Sequence, residues 1–196
     1  MDFILISHKD EKALPVNCFY NNQIYKYQGK MYIAVVYEIH YLENLAIGAG
    51  GILPRNKLLG YHENDIERVI ILSTADGIPE FVFLSAHSQE GRFYPYDQIE
   101  KQDNIPVFYA AKGSHALNNS PKSRIRMLGF ANDVFSDRKK GKVMKMDPIK
   151  DVNVTYNIWQ NEVLSTPLRS FLYPFYSPIM EELKAKQRIK NEESQK

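Results

Sequence analysis

The chain has 196 residues, of which 44% are hydrophobic and 12% aromatic, and it carries a formal net charge of +2. This apolar share is enough for a packed core, and it excludes wholesale disorder as well as collagen-like and coiled-coil architectures. The near balance of charges implies no committed polyanion partner, so no nucleic-acid binding is expected. The length favours one domain, and the single cysteine, Cys18, cannot form an internal disulfide.

The N-terminal segment predicts no signal peptide. Its apolar stretch, Phe3–Ile6, is shorter than the apolar region of a signal peptide and is followed by charged residues. No run approaches the roughly 18 apolar residues that a transmembrane span needs. We therefore expect an intracellular protein without a transmembrane segment.

Short segments rich in β-branched and aromatic residues, bounded by Gly, Pro, Asn or Asp, predict strands along most of the chain. The nearly continuous apolar character of residues 31–39 predicts a strand that is buried on both faces. The pair Asp76-Gly77 predicts a hairpin turn, because both positions tolerate positive φ. The predicted strands are 31–39, 68–73, 80–85, 106–111 and, from strict alternation, 152–159.

One helix is predicted at the C-terminus. Ser177 is a suitable N-cap, and Pro178 suits the first helical position, where its missing N–H costs nothing. The basic run 137–142 is interpreted as a solvated hairpin tip. The sequence thus predicts a mainly β protein, with an antiparallel β-sandwich and long loops over residues 1–176, and a C-terminal helix and frayed tail over 177–196.

Two acids and a histidine form the first part of a candidate site. Asp65 and Glu67 are two residues apart on a predicted strand, so both carboxylates project from one face and Ile66 projects from the other. His62 lies in the loop that precedes this strand. Two acids on one face repel each other unless a cation or a basic group joins them, and a divalent metal ion is the compact solution.

A second histidine lies at the end of the neighbouring predicted strand. Counting outward from the hairpin turn brings His87 level with residues 65–67. A strict two-residue turn pairs it with Ile66, on the wrong face, whereas a longer loop or a bulge pairs it with Glu67 or Asp65. The sequence leaves this register open.

A third histidine, His115, follows the predicted strand 106–111 in a Lys-Gly-Ser-His segment. Glycine beside a polar pair suits a turn that aims side chains at a site. Lys112 and Ser114 are candidate ligand-binding residues here, and Lys112 offers a positive charge to an anion. The two remaining histidines, His8 and His40, are interpreted as ordinary.

Together these residues predict a shared polar or divalent-metal site. The candidate metal ligands are His62, Asp65, Glu67, His87 and His115. Mixed imidazole and carboxylate ligands suit Zn, Mn or Fe, whereas carboxylates alone suit Ca or Mg, and no organic cofactor is expected. No catalytic residue is assigned, because the chain has no GxSxG motif and Cys18 is interpreted as a buried structural thiol.

In order and spacing, three segments resemble the vacuolar protein sorting-associated protein 62 family: Gly60–Val69, Phe83–Ser88 and Pro106–Ala116. The family typically shows a Gly-Asp-Trp-Glu element before a strand, a Ser-Gln-His-Ser element at the end of the next, and Tyr-Val-Ala-Lys-Gly-Ser-His-Ala after a further strand. Downstream, Gly129–Asp133 and Val143–Pro148 look like the family's Asn-Asp segment and closing Asp-Pro. The likeness covers roughly residues 30–160, and its most specific element is Lys-Gly-Ser-His.

The acids and histidines of the family pattern are present, but Asn64, Ile66 and Ala86 replace its glycine, tryptophan and glutamine. A fainter likeness links His62 with the two acids to the His-Asp-Trp-Glu heptapeptide of necrosis-inducing microbial proteins. Those proteins are β-sandwiches that hold a divalent cation and recognise membrane sphingolipid headgroups. The resemblance implies a β-sandwich and a vacuolar or endomembrane role, without implying an activity.

Three functions are consistent with these patterns. The first is a binding module in which a cation recognises a sugar, phosphate or lipid headgroup. The second is a metal-dependent hydrolase, in which the metal activates water and a spare carboxylate or histidine acts as base. The third is a structural or self-assembling homo-oligomer that keeps the fold and has lost the site. The short chain and the replacement of the family's tryptophan by Ile66 fit this third function, but the binding module is favoured.

Overall fold

The structure is a computed structural model, and it describes residues 2–27, 29–44, 62–86, 91–123 and 133–154, with only the backbone of His62. Within these ranges the chain is mainly β-structure, with one short 3-10 turn at Tyr96–Gln98. The strands are β1 (Phe3–Ser7), β2 (Asn17–Tyr27), β3 (Lys30–Asn44), β4 (His62–Ser73), β5 (Pro79–Leu84), β6 (Arg92–Pro95), β7 (Lys101–Gln102), β8 (Ile105–Ala110), β9 (Leu117–Asn118), β10 (Lys142–Met146) and β11 (Ile149–Lys150).

The strands form two mixed sheets. A five-stranded sheet has the order β10-β1-β8-β7, with β9 also paired to β8, and a six-stranded sheet has the order β11-β2-β3-β4-β5-β6. The expectation of purely antiparallel sheets is wrong at two places, because β1 runs parallel to β8 and β11 runs parallel to β2. Both parallel pairs join strands far apart in the chain, so no local hairpin signal encodes them.

The central strand β3 is buried on both faces, as its apolar run predicts. One face, with Tyr37, Ile39 and Tyr41, belongs to a core cluster that also contains Phe3 and Phe108 of the other sheet. The opposite face contributes residues to a second cluster with β4 and β5. Alternation along one strand therefore supplies two layers of packing.

The β4–β5 hairpin has the predicted turn. Gly77 has φ +79°, which a glycine adopts without strain, and the backbone N–H of Thr74 donates to the carbonyl of Ile78 at 2.9 Å. A register shift between Leu72 and Ser73 marks a bulge next to this turn. The antiparallel pairing then continues to Val69 opposite Leu84.

The predicted strand 152–159 is wrong over its first three residues. Asp151 accepts a hydrogen bond from the backbone N–H of Asn153 at 2.9 Å, and the N–H of Val154 donates to its carbonyl at 3.2 Å. This turn competes successfully with the alternating pattern because the Asp151 side chain satisfies the backbone locally. Residues 155–159 and the predicted C-terminal helix lie outside the described residues.

The remaining predictions on the fold are local. The segment 137–142 forms an exposed turn that leads into β10, and the N–H of Lys140 donates to the carbonyl of Asp137. The turn is solvated as expected, but it is not a hairpin tip, because β10 pairs with β1 and no strand lies directly before the turn in the described residues. Cys18 is buried and unpaired, and burial raises its pKa to about 12. The described residues all belong to one compact unit, residues 1–165, and none of their helical structure is long and apolar enough to cross a membrane.

Candidate functional site

A buried polar cluster forms where three segments from different parts of the chain meet. Strand β4 supplies Asp65 and Glu67, the turn after β8 supplies His115, and the loop after β1 supplies Glu11. All four side chains are buried. The acids of β4 share a face with Val69, which belongs to the core cluster, so they project inward as the two-residue spacing predicts.

His115 lies at the centre of the cluster. Its Nδ1 is 2.9 Å from Oδ2 of Asp65, and its Nε2 is 3.9 Å from Oε2 of Glu11. Although burial lowers the pKa of His115, the two carboxylates raise it to about 9, so the imidazole is positively charged at neutral pH. Its backbone has φ +54°, and its N–H donates to the carbonyl of Ala111 at 3.2 Å.

Glu11 is held by backbone groups. Its Oε1 accepts from the N–H of Lys12 at 2.8 Å and of Ala13 at 3.0 Å, and its Oε2 accepts from the N–H of Gly113. Burial raises the pKa of Glu11, but the proximity of His115 and these backbone donors lower it to about 2. The carboxylate is therefore ionised and fixed in orientation.

The pKa of Glu67 is shifted in the opposite direction from that of Glu11. Burial and the nearby charge of Asp65 raise its pKa well above the ordinary value of 4.5. The hydroxyl of Ser85, just beyond β5, donates to Oε2 of Glu67, and Ser85 Oγ accepts from the backbone N–H of Arg68 at 2.6 Å. Glu67 is thus the carboxyl group of the cluster that most readily keeps a proton.

A second acid–serine contact lies beside His115. The hydroxyl of Ser114 donates to Oδ1 of Asp133 at 3.1 Å, and the side-chain amide of Asn44 donates to the carbonyl of Ser114 at 3.3 Å. Ser114 and Asp133 are both buried. The contact ties the turn after β8 to the segment before β10 and to the end of β3.

An aromatic ring covers one face of the imidazole. Tyr41 on β3 stands opposite Asp65 on β4, and its ring lies parallel to that of His115. Among the described residues, Tyr41 Oη and His115 Nε2 are buried polar atoms without a hydrogen-bond partner. Two unsatisfied atoms in one cluster are unusual in a folded protein and indicate a place for a ligand, an ion or a water molecule.

The structure brings together part of the predicted site. Asp65, Glu67 and His115 lie in the cluster, and Ser114 lies beside it. Lys112 is only half-buried, and its backbone N–H donates to the carbonyl of Val134 at 2.9 Å. The other two predicted ligands are His62 and His87. The side chain of His62 and the whole of His87 lie outside the described residues.

The other two histidines lie apart from the cluster. His8 is buried next to the Glu11 loop, and its Nδ1 accepts from the backbone N–H of Asp10 at 3.1 Å. His40 is on the opposite face of the six-stranded sheet, 3.4 Å from Oε2 of Glu38. Neither contributes to the polar cluster in the part of the chain described.

The cluster contains the donor atoms that a divalent cation binds, but their arrangement suits such an ion only in part. Its carboxylates and the unpartnered imidazole nitrogen are donors that such ions bind. However, no group of three His, Cys, Asp or Glu side chains within the described ranges is arranged around one ion position. His115 occupies the place between the carboxylates that a cation would need to share.

Sequence reasoning missed Glu11, Asp133, Ser85 and Tyr41 as members of this site. Asp133 carried a signal, since it ends the Asn-Asp segment of the family resemblance. Glu11 lies in a charged run, which predicts a solvated surface, and Tyr41 lies in an apolar run, which predicts a core position. Neither pattern indicates a site residue.

A scan against protein-family models, a search of curated proteins and a search of solved structures found no match to this chain. The likeness to the vacuolar protein sorting-associated protein 62 family therefore stays a prediction that rests on the motifs quoted above.

Proposed function

We propose that this chain is a β-sandwich binding module whose buried cluster takes up a divalent cation and recognises a polar ligand through it. The two mixed sheets that share one core cluster support the sandwich arrangement. The likeness to the vacuolar protein sorting-associated protein 62 family supports an endomembrane setting. The ligand belongs to the class of sugar, phosphate and lipid headgroups.

One observation carries the proposal: the buried carboxylates of Asp65 and Glu11 flank a single imidazole, and the buried carboxyl of Glu67 interacts with the charges of both Asp65 and that imidazole. The single positive charge of the imidazole neutralises at most one of these acids. The raised pKa of Glu67 reduces the remaining negative charge, because this carboxyl group then keeps its proton. A divalent cation neutralises this negative charge more completely, because it displaces the proton and compensates two carboxylates at once. The unpartnered Nε2 of His115 supplies a further donor when the imidazole is neutral.

The donor set favours Mn²⁺ or Zn²⁺ where the imidazole takes part, and Ca²⁺ or Mg²⁺ where carboxylates act alone. We infer that Asp65 and Glu67 form the core of the ligand set, since both project from β4 into the cluster. Movement of the His115 ring away from Asp65 is required for a third ligand. Cation binding should therefore be linked to loss of the proton on His115 or Glu67.

Elemental analysis of the purified protein, followed by calorimetric titration of the chelator-treated protein with each of the four cations, tests this proposal. We expect one cation to bind and to release protons, and the isosteric variants Asp65→Asn and Glu67→Gln to lower its affinity at least tenfold. Glu38→Gln is the matched control, because Glu38 lies on the neighbouring strand but pairs with Arg68 on the opposite face of the sheet.

Two results would overturn the cation proposal. One is the absence of binding by all four cations while the protein remains folded by circular dichroism. The other is an equal loss of affinity in Glu38→Gln and Asp65→Asn, which indicates that the ions bind non-specifically to surface acids. In the first case the cluster is a structural network held by the His115–Asp65 pair.

A further inference from the structure

Three chain segments meet at one edge of the five-stranded sheet. Ser7, the last residue of β1, stands opposite Ala110 at the end of β8 and opposite Lys142 at the start of β10. The loop that follows β1, the turn that follows β8 and the turn that precedes β10 are therefore neighbours. The buried cluster lies just inside this edge, since the first two of these segments supply Glu11 and His115.

Each of the three segments at this edge carries basic residues. We call them the lysine rim: Lys9, Lys12, Lys112, Lys139 and Lys142. Hydrogen bonds join their segments: the ammonium group of Lys142 donates to the carbonyl of Glu11, and the N–H of Lys9 donates to Ser136 Oγ at 3.0 Å. Lys9, Lys12 and Lys139 are exposed, so their charges face solvent.

Two rim lysines on different segments, Lys9 and Lys112, both influence the buried imidazole of His8. Burial lowers the pKa of His8, and the charges of Lys112 and Lys9 lower it further. Two exposed carboxylates of the described edge offset part of this charge: Asp10 lies 3.9 Å from His8, and Asp137 lies 3.8 Å from the ammonium group of Lys140. The lysines of the rim still outnumber these acids.

Exposed aliphatic side chains lie on the same segments. Leu14 in the loop after β1 and Val134 before β10 are each 37% exposed, and Val134 contacts the backbone of Lys112. Aliphatic groups interleaved with lysines suit an anionic lipid surface, where the apolar groups enter the headgroup region and the ammonium groups meet phosphates. Binding to single-stranded nucleic acid uses exposed aromatic rings instead, and none of the exposed large hydrophobic residues described is aromatic.

We propose that the lysine rim, with Leu14 and Val134, binds the surface of an anionic membrane peripherally. This inference goes beyond the proposed cation site and does not depend on it, because the rim carries its charge whether or not the cluster holds an ion. The rim and the cluster share one edge of the sheet, so membrane contact brings a lipid headgroup next to the cluster.

Co-sedimentation with vesicles tests the inference on the full chain. Vesicles of phosphatidylcholine alone are compared with vesicles that also contain phosphatidylserine, at low and at raised salt. We expect binding only to the phosphatidylserine vesicles, with a loss as salt increases because screening weakens charge attraction. Neutralising one rim lysine should weaken binding roughly fivefold, so Lys9→Gln combined with Lys139→Gln should weaken it on the order of 25-fold.

The matched control combines Lys26→Gln with Lys150→Gln, which removes the same charge from exposed positions on the six-stranded sheet. Equal weakening in the control pair, or equal binding to both kinds of vesicle, would overturn the inference. So would complete release by inorganic phosphate at matched ionic strength, which indicates a discrete phosphate site, or binding to an oligonucleotide without binding to vesicles. Lys9→Gln combined with Lys139→Gln should still bind the cation as the unaltered chain does, which separates failure of this inference from failure of the cation proposal.

Discussion

The ring of Tyr41 lies flat against the imidazole of His115, with centroids 3.8 Å apart and 2° between the ring planes. The face of a phenol ring attracts a cation, so this stack favours the protonated imidazole that Asp65 and Glu11 also stabilise. The phenol hydroxyl, by contrast, has no hydrogen-bond partner among the described residues. One side chain therefore combines a stabilising ring with a destabilising hydroxyl.

Replacing Tyr41 with phenylalanine should stabilise the protein. Tyr41→Phe keeps the ring over His115 and removes an unsatisfied buried hydroxyl, so we expect the free energy of unfolding to rise by about 1 kcal/mol. Tyr41→Leu, which removes the ring, should lower it by roughly 2–4 kcal/mol. Urea unfolding of both variants measures these changes, and a loss of stability in Tyr41→Phe would show that the hydroxyl has a partner in solution.

Two buried serines should respond in opposite ways to removal of their hydroxyls. Ser85 donates to Glu67 and accepts from the N–H of Arg68, so Ser85→Ala should lower the free energy of unfolding by about 1–3 kcal/mol. Ser7 is equally buried, but its hydroxyl has no partner in the part of the chain described, and Ser7→Ala should be neutral or slightly stabilising. Urea unfolding compares the pair, and equal costs would contradict the assigned contacts.

The sequence predicts the parts of the site that depend on the period of a strand. Asp65 and Glu67 share an inward face, and Ile66 points away from it, because alternate side chains of any strand lie on opposite sides. The hairpin at Asp76-Gly77 and the doubly buried strand β3 are predictable for similar reasons, since turn residues and apolar runs are local signals.

The parts that depend on distant pairing are not predictable in this way. Glu11 reaches His115 because β1 runs parallel to β8, and nothing in either segment identifies the other as its neighbour. The contact of Ser85 with Glu67 depends on the register of β4 against β5, which the bulge at Leu72 shifts. Local patterns therefore indicate the side chains of β4, whereas the partners from other segments require the fold.

Neutralising Glu11 should weaken the centre of the cluster. Its ionised carboxylate accepts from the N–H groups of Lys12, Ala13 and Gly113, and a glutamine places an amide donor against one of them. We expect Glu11→Gln to lower the free energy of unfolding by about 2–3 kcal/mol and to lower the pKa of His115. Chemical denaturation and an NMR titration of the His115 ring measure the two effects.

The neighbouring exposed acid provides the control for that variant. Asp10→Asn removes the same charge next to Glu11, and it should change stability by no more than about 0.5 kcal/mol because the side chain is exposed. If Asp10→Asn lowers the pKa of His115 as much as Glu11→Gln does, the effect reflects general charge at this edge of the sheet and the specific role of Glu11 is wrong.

Stability of the chelator-treated protein should fall as the pH rises above neutrality. The pKa of His115 is raised from 6.5 to about 9 in the folded state, so its stabilising contribution is complete below pH 6.5 and is lost as the pH rises through 9. The loss amounts to about 3 kcal/mol. The raised pKa of Glu67 acts in the same direction, because the folded state favours its protonated form. Urea unfolding from pH 6 to about 9.5 measures the profile, and His115→Gln should flatten it. A stability that increases with pH over this window in the unaltered chain would contradict the assignment of His115 as the charged centre of the cluster.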